Sequence, residues 1–197
     1  MEIVVFGATG RVGRAVVEQG LARGHTITAF VRSPTKLDRS EASGLTVVTG
    51  DASNGPSASA AMPGHDAVIS ALGVVGLEET TALSQMTANV IAGAKENDVR
   101  RMIGVVSFAV FFTTSRPPFQ FVNEEHRRDL AALQVSGLDW VAAAPSTITD
   151  DDALGTYEAV LDAPPPGPEI TRFDLADFLL DAVETDAFLG HAVGLSN

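Results

Sequence analysis

Three glycines near the beginning of the chain are spaced as in a turn that can bind a phosphate group. The spacing is Gly-x-x-Gly-x-x-Gly, with an apolar stretch before it and a helical pattern after it. Gly7 permits a tight turn, Gly10 lets the main chain approach a pyrophosphate, and Gly13 lets the helix pack closely on the strand. The free N–H groups and the positive end of the helix dipole then face the anion. The alternative interpretation is a glycine-rich turn without a ligand.

Positive charge follows the second predicted strand, Thr26–Val31. A dinucleotide site specific for NAD usually has an Asp or Glu about 20 residues after the glycine turn, where it holds the ribose hydroxyls. This chain has Arg32 there, followed by Lys36, and a guanidinium suits a 2′-phosphate. Arg11, inside the glycine turn, can reach the same anion. The pattern favours NADP(H) over NAD(H); solvated surface charges are the alternative.

The ends of the next two strands suit an adenine and ribose site. Asp51 closes the third strand and can accept a hydrogen bond from an adenine amino group, or it can simply form a turn. Ala71, Leu72 and Gly73 close the fourth strand, where small residues would let a ribose and pyrophosphate pass close to the backbone.

These groups need a scaffold in which strands and helices alternate. The sequence predicts strands at Met1–Phe6, Thr26–Val31, Leu45–Thr49, Ala67–Ser70, Arg101–Ser107, Leu138–Ala144 and Ala192–Leu195, and helices at Arg11–Arg23, Thr80–Asn97, Asn123–Val135 and Phe173–Thr185. Strands that are apolar on both faces and alternate with helices predict a parallel sheet covered on both sides. We therefore expect one α/β domain over residues 1–197. It has a doubly wound parallel sheet (Rossmann fold), three αβα layers, and a substrate pocket at the carboxyl ends of the strands.

Composition excludes several classes of protein. The 197 residues are 45% apolar, which supports a full core, and the net charge of −12 argues against binding to nucleic acid or to an anionic membrane. The chain has no cysteine, so disulfides and thiolate metal sites are excluded, and no His, Asp or Glu grouping has metal-ligand spacing. No apolar run reaches the roughly 18 residues of a membrane span. We expect a cytoplasmic protein without a metal.

Together these motifs resemble the atypical short-chain dehydrogenase/reductase proteins of the NmrA-like group, and within it the biliverdin IX beta reductases and flavin reductases. The resemblance spans nearly the whole chain. It depends on Gly7–Gly10 with Gly13, Val31–Arg32, Gly50–Asp51, His65–Gly73, Ser107, Ser136–Val141 leading into Pro145, and Ile170–Ala176.

The resemblance implies an NADPH-dependent reductase of flavins, quinones or tetrapyrroles that is a monomer or a weak homodimer. It implies coenzyme contacts at Thr9, Gly10, Arg11, Val12, Arg32, Lys36, Asp51, Ala52, Leu72, Gly73, Ser107, Pro145, Ser146, Thr147 and Ile148, to which the strand-end pattern adds Gly7 and Ala71. The alternative is a non-catalytic NADP(H)-binding redox sensor or regulator.

The usual catalytic pair of short-chain dehydrogenases, Tyr-x-x-x-Lys, is missing. Tyr157 is the one tyrosine, and Leu161 stands four residues after it. Ser107, at a strand end, can hydrogen-bond the nicotinamide amide or a substrate carbonyl, or can be a small residue that lets the nicotinamide lie flat. Thr147 stands where the biliverdin and flavin reductases commonly carry a His. Ser107 and Thr147 are therefore the candidate catalytic residues.

A flavin acceptor needs no protein acid, because its reduced nitrogen can take a proton from water; it needs orientation against the hydride donor. Five phenylalanines after the fifth predicted strand can form an apolar floor for a planar acceptor, or can pack in the core. These are Phe108, Phe111, Phe112, Phe119 and Phe121. His126 is either a solvated helix residue or a catalytic one, and Asp150–Asp152 is either a solvated loop or a cation site.

Overall fold

The computed structural model describes residues 1–37, 42–74, 76–115 and 117–197, and strands and helices alternate within them. The strands are β1 (Glu2–Phe6), β2 (Thr26–Val31), β3 (Leu45–Thr49), β4 (Ala67–Ser70), β5 (Arg101–Val105), β6 (Asp139–Pro145), β7 (Thr147–Thr149), β8 (Glu158–Leu161), β9 (Glu169–Thr171) and β10 (Ala192–Ser196). The α-helices are α1 (Arg11–Ala22), α2 (Gly55–Ser59), α3 (Ala82–Glu96), α4 (Gln120–Gln134) and α5 (Arg172–Glu184). Short 3-10 helices at Pro34–Lys36 and Phe108–Phe111 follow β2 and β5.

The main sheet has the order β3-β2-β1-β4-β5-β6-β10-β8. All neighbours are parallel except β8, which pairs antiparallel with β10 at the edge. Strands β7 and β9 form a separate parallel pair. The strand order reverses direction between β1 and β4, which is the point where a doubly wound sheet opens a crevice at its carboxyl edge. The predicted Rossmann fold is confirmed.

Helices cover both faces of the sheet, as predicted. Alternate residues of β1 point to opposite faces: Ile3 and Val5 pack in one core with α1 and α5, whereas Val4 and Phe6 pack in a second core with α2, α3 and α4. The αβα layers follow from this alternation, because each strand buries side chains on both sides.

Some elements differ from the prediction. Strand β5 ends at Val105 rather than Ser107, because the chain turns there into the 3-10 helix that Ser107 caps. Strand β8 was not predicted: all four of its residues are exposed, so it lacks an apolar alternation. The short strands β7 and β9 were not predicted either. None of the described helices is both long enough and apolar enough to cross a membrane.

Candidate functional site

Close backbone contacts explain the glycines of the turn between β1 and α1. Gly7 has a φ of +79°, and a Cβ added to it would lie 2.4 Å from the Ala71 carbonyl oxygen. A Cβ on Gly13 would lie 2.2 Å from the Gly7 carbonyl oxygen, so the helix touches the turn directly. The N–H of Gly10 donates to the same oxygen at 2.9 Å. These contacts leave no space for side chains and confirm the packing reasons given for Gly7 and Gly13.

The beginning of α1 is open to an anion. Gly10 is the residue before the helix, and no side chain of the described residues makes a capping hydrogen bond there. The first N–H groups of α1, those of Arg11, Val12 and Gly13, lack partners within the helix and face the same direction. The Val12 side chain packs in the core, so only its N–H group is available to a ligand. Bare N–H groups at a helix N-terminus suit a pyrophosphate, and the turn therefore fits a dinucleotide.

A cleft of about 530 Å³ runs along the carboxyl ends of β1 to β4. That volume is in the range of small-molecule sites. The cleft brings together nine predicted coenzyme residues: Gly7, Thr9, Gly10, Arg32, Asp51, Ala52, Ala71, Leu72 and Gly73. Its opposite wall was not predicted from the sequence and consists of Thr80, Ala82, Leu83, Gln85 and Met86 at the beginning of α3.

Arg32 lines this cleft with a free positive charge. Its side chain is exposed, and neither Arg32 nor Lys36 has an ion-pair partner in the described part of the chain. Lys36 lies outside the cleft lining. Its carbonyl oxygen accepts a hydrogen bond from Arg14, whose Nε also donates to the Thr9 carbonyl at 3.1 Å. Arg14, not singled out from the sequence, therefore ties the segment after β2 to the glycine turn.

Asp51 forms the turn that was considered for it and leaves one carboxylate oxygen without a hydrogen bond. Its Oδ1 accepts hydrogen bonds from the Ser53 N–H at 2.9 Å and the Ser53 hydroxyl at 2.8 Å, which closes a turn. These bonds, with a smaller effect of the Arg32 charge, hold the pKa of Asp51 below its usual value. The other carboxylate oxygen makes no hydrogen bond to the described residues, so an ionised acceptor lines the cleft beside Arg32.

Arg11 points away from the cleft into an ion-pair bridge. Asp150, in the loop after β7, accepts from Arg11 Nη1 at 3.2 Å and from Arg172 Nη1 at 2.6 Å. The hydrogen bonds from Arg172 and Arg11 lower the pKa of Asp150. Arg172 also stacks on the Phe173 ring, at 4.4 Å from its centroid. The bridge fastens the segment after β6 to the beginnings of α1 and α5.

The residues predicted after β6 follow one another along that segment. Pro145 ends β6 and is buried, and the Ser146 N–H donates to the Leu195 carbonyl at 2.9 Å. Ser146 Oγ is buried without a hydrogen-bond partner among the described residues. Thr147 is exposed in β7, whereas the Ile148 side chain packs against the core. None of these four residues lines the cleft.

Ser107 lies just beyond β5, between the ends of β4 and β6. Its Oγ accepts a hydrogen bond from the Ala109 N–H at 3.2 Å and so caps the 3-10 helix. A hydroxyl that accepts through its oxygen can still donate its proton. Ser107 can therefore donate to a carbonyl group at this end of the sheet.

The phenylalanines after Ser107 divide into exposed and packed rings. Phe108, Phe112 and Phe119 are 41%, 46% and 55% exposed. The Phe108 and Phe112 rings meet edge to face at 6.3 Å. Phe111 packs against the core, which is the alternative considered for these rings, and Phe121 is half-buried.

Tyr157 has a structural role against α5 and does not form a catalytic pair with a lysine. Its hydroxyl donates to Asp181 at 2.5 Å, and its ring meets Phe178 of α5 edge to face. Burial, reinforced by the bond to Asp181, raises the pKa of Tyr157 well above its usual value. Helix α4 contains neither Tyr nor Lys.

Helix α4 instead carries a buried carboxylate that caps α3. Glu125 accepts hydrogen bonds from the N–H groups of Leu83 and Ser84, both at 3.1 Å, and from Arg128 at 2.8 Å. Burial would raise the pKa of Glu125, but the bonds from Ser84 and Arg128 outweigh it and lower that pKa. Glu125 thereby fixes the helix end that forms the far wall of the cleft.

His126 is half-buried rather than a solvated helix residue. Its Nδ1 has no hydrogen-bond partner among the described residues, and burial lowers its pKa to about 4 although Glu125 opposes the shift. It is therefore neutral near neutral pH. No group of three or more His, Asp or Glu residues in the described ranges is arranged to hold a metal ion.

Comparisons with known proteins agree with this geometry. A family model described as NAD(P)H-binding matches residues 7–186. The chain is 38% identical over 71 residues to the photosystem II assembly factor Ycf39 of Synechocystis sp., and 28% identical over 172 residues to an uncharacterized chloroplastic protein of Arabidopsis thaliana. The matches cover 36% and 78% of this chain but 22% and 61% of those proteins, so the chain spans less than two thirds of either relative.

Solved structures share the fold over the whole chain. A Rossmann-fold NAD(P)-binding family protein of Shigella flexneri has a TM-score of 0.82 at 26% identity, covering 100% of this chain and 93% of that one. A short-chain dehydrogenase/reductase of Veillonella parvula, solved in complex with NADP, has a TM-score of 0.82 at 17% identity, covering 100% and 94%. The matched family model is described by its coenzyme alone, so the narrower resemblance to biliverdin and flavin reductases stays a prediction.

Proposed function

We propose, from the premise that this chain belongs to the NAD(P)H-binding family, that it is an NADPH-dependent reductase of a planar acceptor such as a flavin, quinone or tetrapyrrole. The observation that carries the proposal is one continuous edge of the sheet. It begins with the unpaired charge of Arg32 in the cleft, passes the open N-terminus of α1, and ends at Ser107 beside exposed aromatic rings.

NADPH rather than NADH is favoured by the charges at the cleft. Arg32 is exposed, lines the cleft and lacks an ion-pair partner among the described residues. The expected carboxylate for the ribose hydroxyls is absent from this strand end, and a guanidinium binds a phosphate through paired N–H groups. Asp51, on the next strand, supplies the acceptor for an adenine amino group.

At the Ser107 end of the sheet edge, the residues are suited to orient the acceptor rather than to transfer a proton. The bound coenzyme would supply the hydride. The Ser107 hydroxyl can donate to a carbonyl group, whereas Ser146 Oγ is buried and outside the cleft lining. Thr147 offers an exposed hydroxyl nearby along the chain. Flavin reduction fits this set best, since its proton can come from water.

A redox sensor that binds NADP(H) without turnover is the second candidate. The observation in its favour is the absence of Tyr and Lys from α4, where ordinary short-chain dehydrogenases carry their catalytic pair. It uses the same coenzyme cleft, so binding alone does not separate the two functions.

Following NADPH oxidation by absorbance separates them, with FMN, menadione and biliverdin as acceptors in turn. We expect turnover with at least one of these. Coenzyme binding by calorimetry together with no turnover toward any acceptor would support the sensor. Absence of coenzyme binding would contradict both.

Replacing Ser107 by alanine tests its assigned role in turnover. Loss of one neutral hydrogen bond should lower kcat/KM for the acceptor about tenfold. The Kd for NADPH should stay close to that of the wild type if the hydroxyl serves the acceptor. Thermal unfolding controls for the loss of the cap on the 3-10 helix. An unchanged kcat/KM would leave Ser107 only the role of a small spacer.

A further inference from the structure

We propose that Arg127 is a positioning residue for the acceptor, because its guanidinium holds the segment from Phe108 to Ser115, here called the aromatic segment, in one shape. This inference rests on the proposed reductase function. Arg127 lies outside the cleft lining and is not among the predicted coenzyme residues, but it holds the exposed rings in position.

All three nitrogens of the Arg127 guanidinium donate hydrogen bonds. Nε and Nη2 both donate to the Phe112 carbonyl, at 3.2 and 3.0 Å, and Nη2 also donates to Ser115 Oγ at 2.7 Å. On the helix side, Nη1 donates to Glu124 at 3.3 Å. A second link comes from Asn123, whose Nδ2 donates to Ser115 Oγ at 3.2 Å. Helix α4 is therefore hydrogen-bonded to the aromatic segment at Phe112 and Ser115.

The aromatic segment has little regular structure to hold it. Its 3-10 turns run from the Val110 N–H, which donates to the Ser107 carbonyl, to the Phe112 N–H, which donates to the Ala109 carbonyl. Beyond Phe112 the chain is neither helix nor strand as far as Ser115, and Thr113 and Thr114 are exposed. The hydrogen bonds from Arg127 hold the chain from the Phe112 carbonyl onward, where the backbone hydrogen bonds of the 3-10 helix stop.

The hydrogen bonds from Arg127 would hold two exposed rings, Phe108 and Phe112, that a planar acceptor can contact. Phe108 and Phe112 lie at the two ends of the 3-10 helix, are 41% and 46% exposed, and meet edge to face. Phe111, the last residue of this helix, packs against the core. The guanidinium on the Phe112 carbonyl holds the chain just beyond that anchor, where it leaves the helix.

The hydrogen bonds from Arg127 affect acceptor affinity because they order the aromatic segment before the acceptor binds. Ordering a mobile residue costs conformational entropy. A segment that is already ordered spares the acceptor this cost on binding. Because four hydrogen bonds direct the Arg127 guanidinium to the aromatic segment and to Glu124, the side chain acts through the rings and not as a ligand of the acceptor.

The test compares Arg127→Gln and Arg127→Lys with the matched control Arg100→Gln. Arg100 precedes β5 at the opposite end of the sheet, where it pairs with Asp139 at 3.3 Å, so its exchange removes the same charge away from the rings. In Arg127→Gln we expect the acceptor KM to rise about tenfold, with the Kd for NADPH unchanged. Hydrogen exchange at the Val110 and Phe112 amides should become faster. Arg127→Lys should recover part of both effects.

Three outcomes would overturn the proposal. An unchanged acceptor KM in Arg127→Gln, against a wild type that turns over, removes the inference alone. An equal rise in Arg100→Gln makes the effect one of net charge. Absence of turnover in the wild type with every acceptor removes the proposed function and this inference with it.

Discussion

Charge reversal at Arg32 should exchange the coenzyme preference of the protein. In Arg32→Glu we expect the Kd for NADPH to rise about 100-fold, since charge-assisted hydrogen bonds to the 2′-phosphate are lost and repulsion replaces them. Arg32 is suited to this role because it lines the cleft and has no ion-pair partner among the described residues that would neutralise it. The new carboxylate can accept from the ribose hydroxyls, so NADH binding should weaken little or improve.

Calorimetric titration of both coenzymes measures this exchange. Arg100→Glu is the control for net charge, because it makes the same change at the opposite end of the sheet. Lys36→Glu should have a smaller effect than Arg32→Glu, since Lys36 lies outside the cleft lining. A ratio of the NADPH and NADH Kd values that does not move in Arg32→Glu would contradict the assignment of the 2′-phosphate site.

Asp129→Asn should stabilise the protein above neutral pH. Asp129 lies on α4, is 3% exposed, and its Oδ1 has no hydrogen-bond partner among the described residues. Burial, with a contribution from the charge of Glu125, raises its pKa to about 7. The folded protein therefore holds this proton more tightly than the unfolded chain does. Stability is lost as the pH rises from about 4 to about 7, where the buried group ionises.

The asparagine variant removes that loss. At about pH 8 we expect its free energy of unfolding to exceed that of the wild type by about 4 kcal/mol, and the difference should shrink as the pH falls toward 4. Urea unfolding at both pH values measures it. Asp152→Asn, an exchange of an exposed carboxylate, is the control for the loss of one carboxylate. A difference that is the same at both pH values would contradict a buried titrating carboxyl at residue 129.

Much of the site could be predicted because parallel strands bring their carboxyl ends to one edge. The glycine turn, Arg32, Asp51 and Gly73 come directly after four apolar strands, and neighbouring parallel strands must place the residues at their carboxyl ends side by side. The close contacts of Gly7 and Gly13 have the same origin, since a helix that begins directly after a strand must cross it at short distance.

Other parts depend on contacts between distant residues. Arg11 and Asp150 are 139 residues apart, and nothing in their local sequence indicates that they pair. The helix α3 has the amphipathic pattern of any helix that packs on a sheet. The sequence therefore does not indicate that Leu83 and Met86 line the cleft. The burial of Glu125 could not be predicted, because it depends on N–H donors that a second helix supplies.

Strand β10 has a consequence for how the protein is made. It is the last of the described strands to be translated, yet it inserts between β6 and β8, and all its residues are buried. The Ser146 N–H bonds to Leu195, so the segment after β6 gains this support only when residues 192–196 have left the ribosome. Until then β6 presents an open edge to other nascent chains. The half of the sheet that contains β1 to β4 can assemble earlier in synthesis, whereas the half beside Ser146 must wait until β10 has emerged.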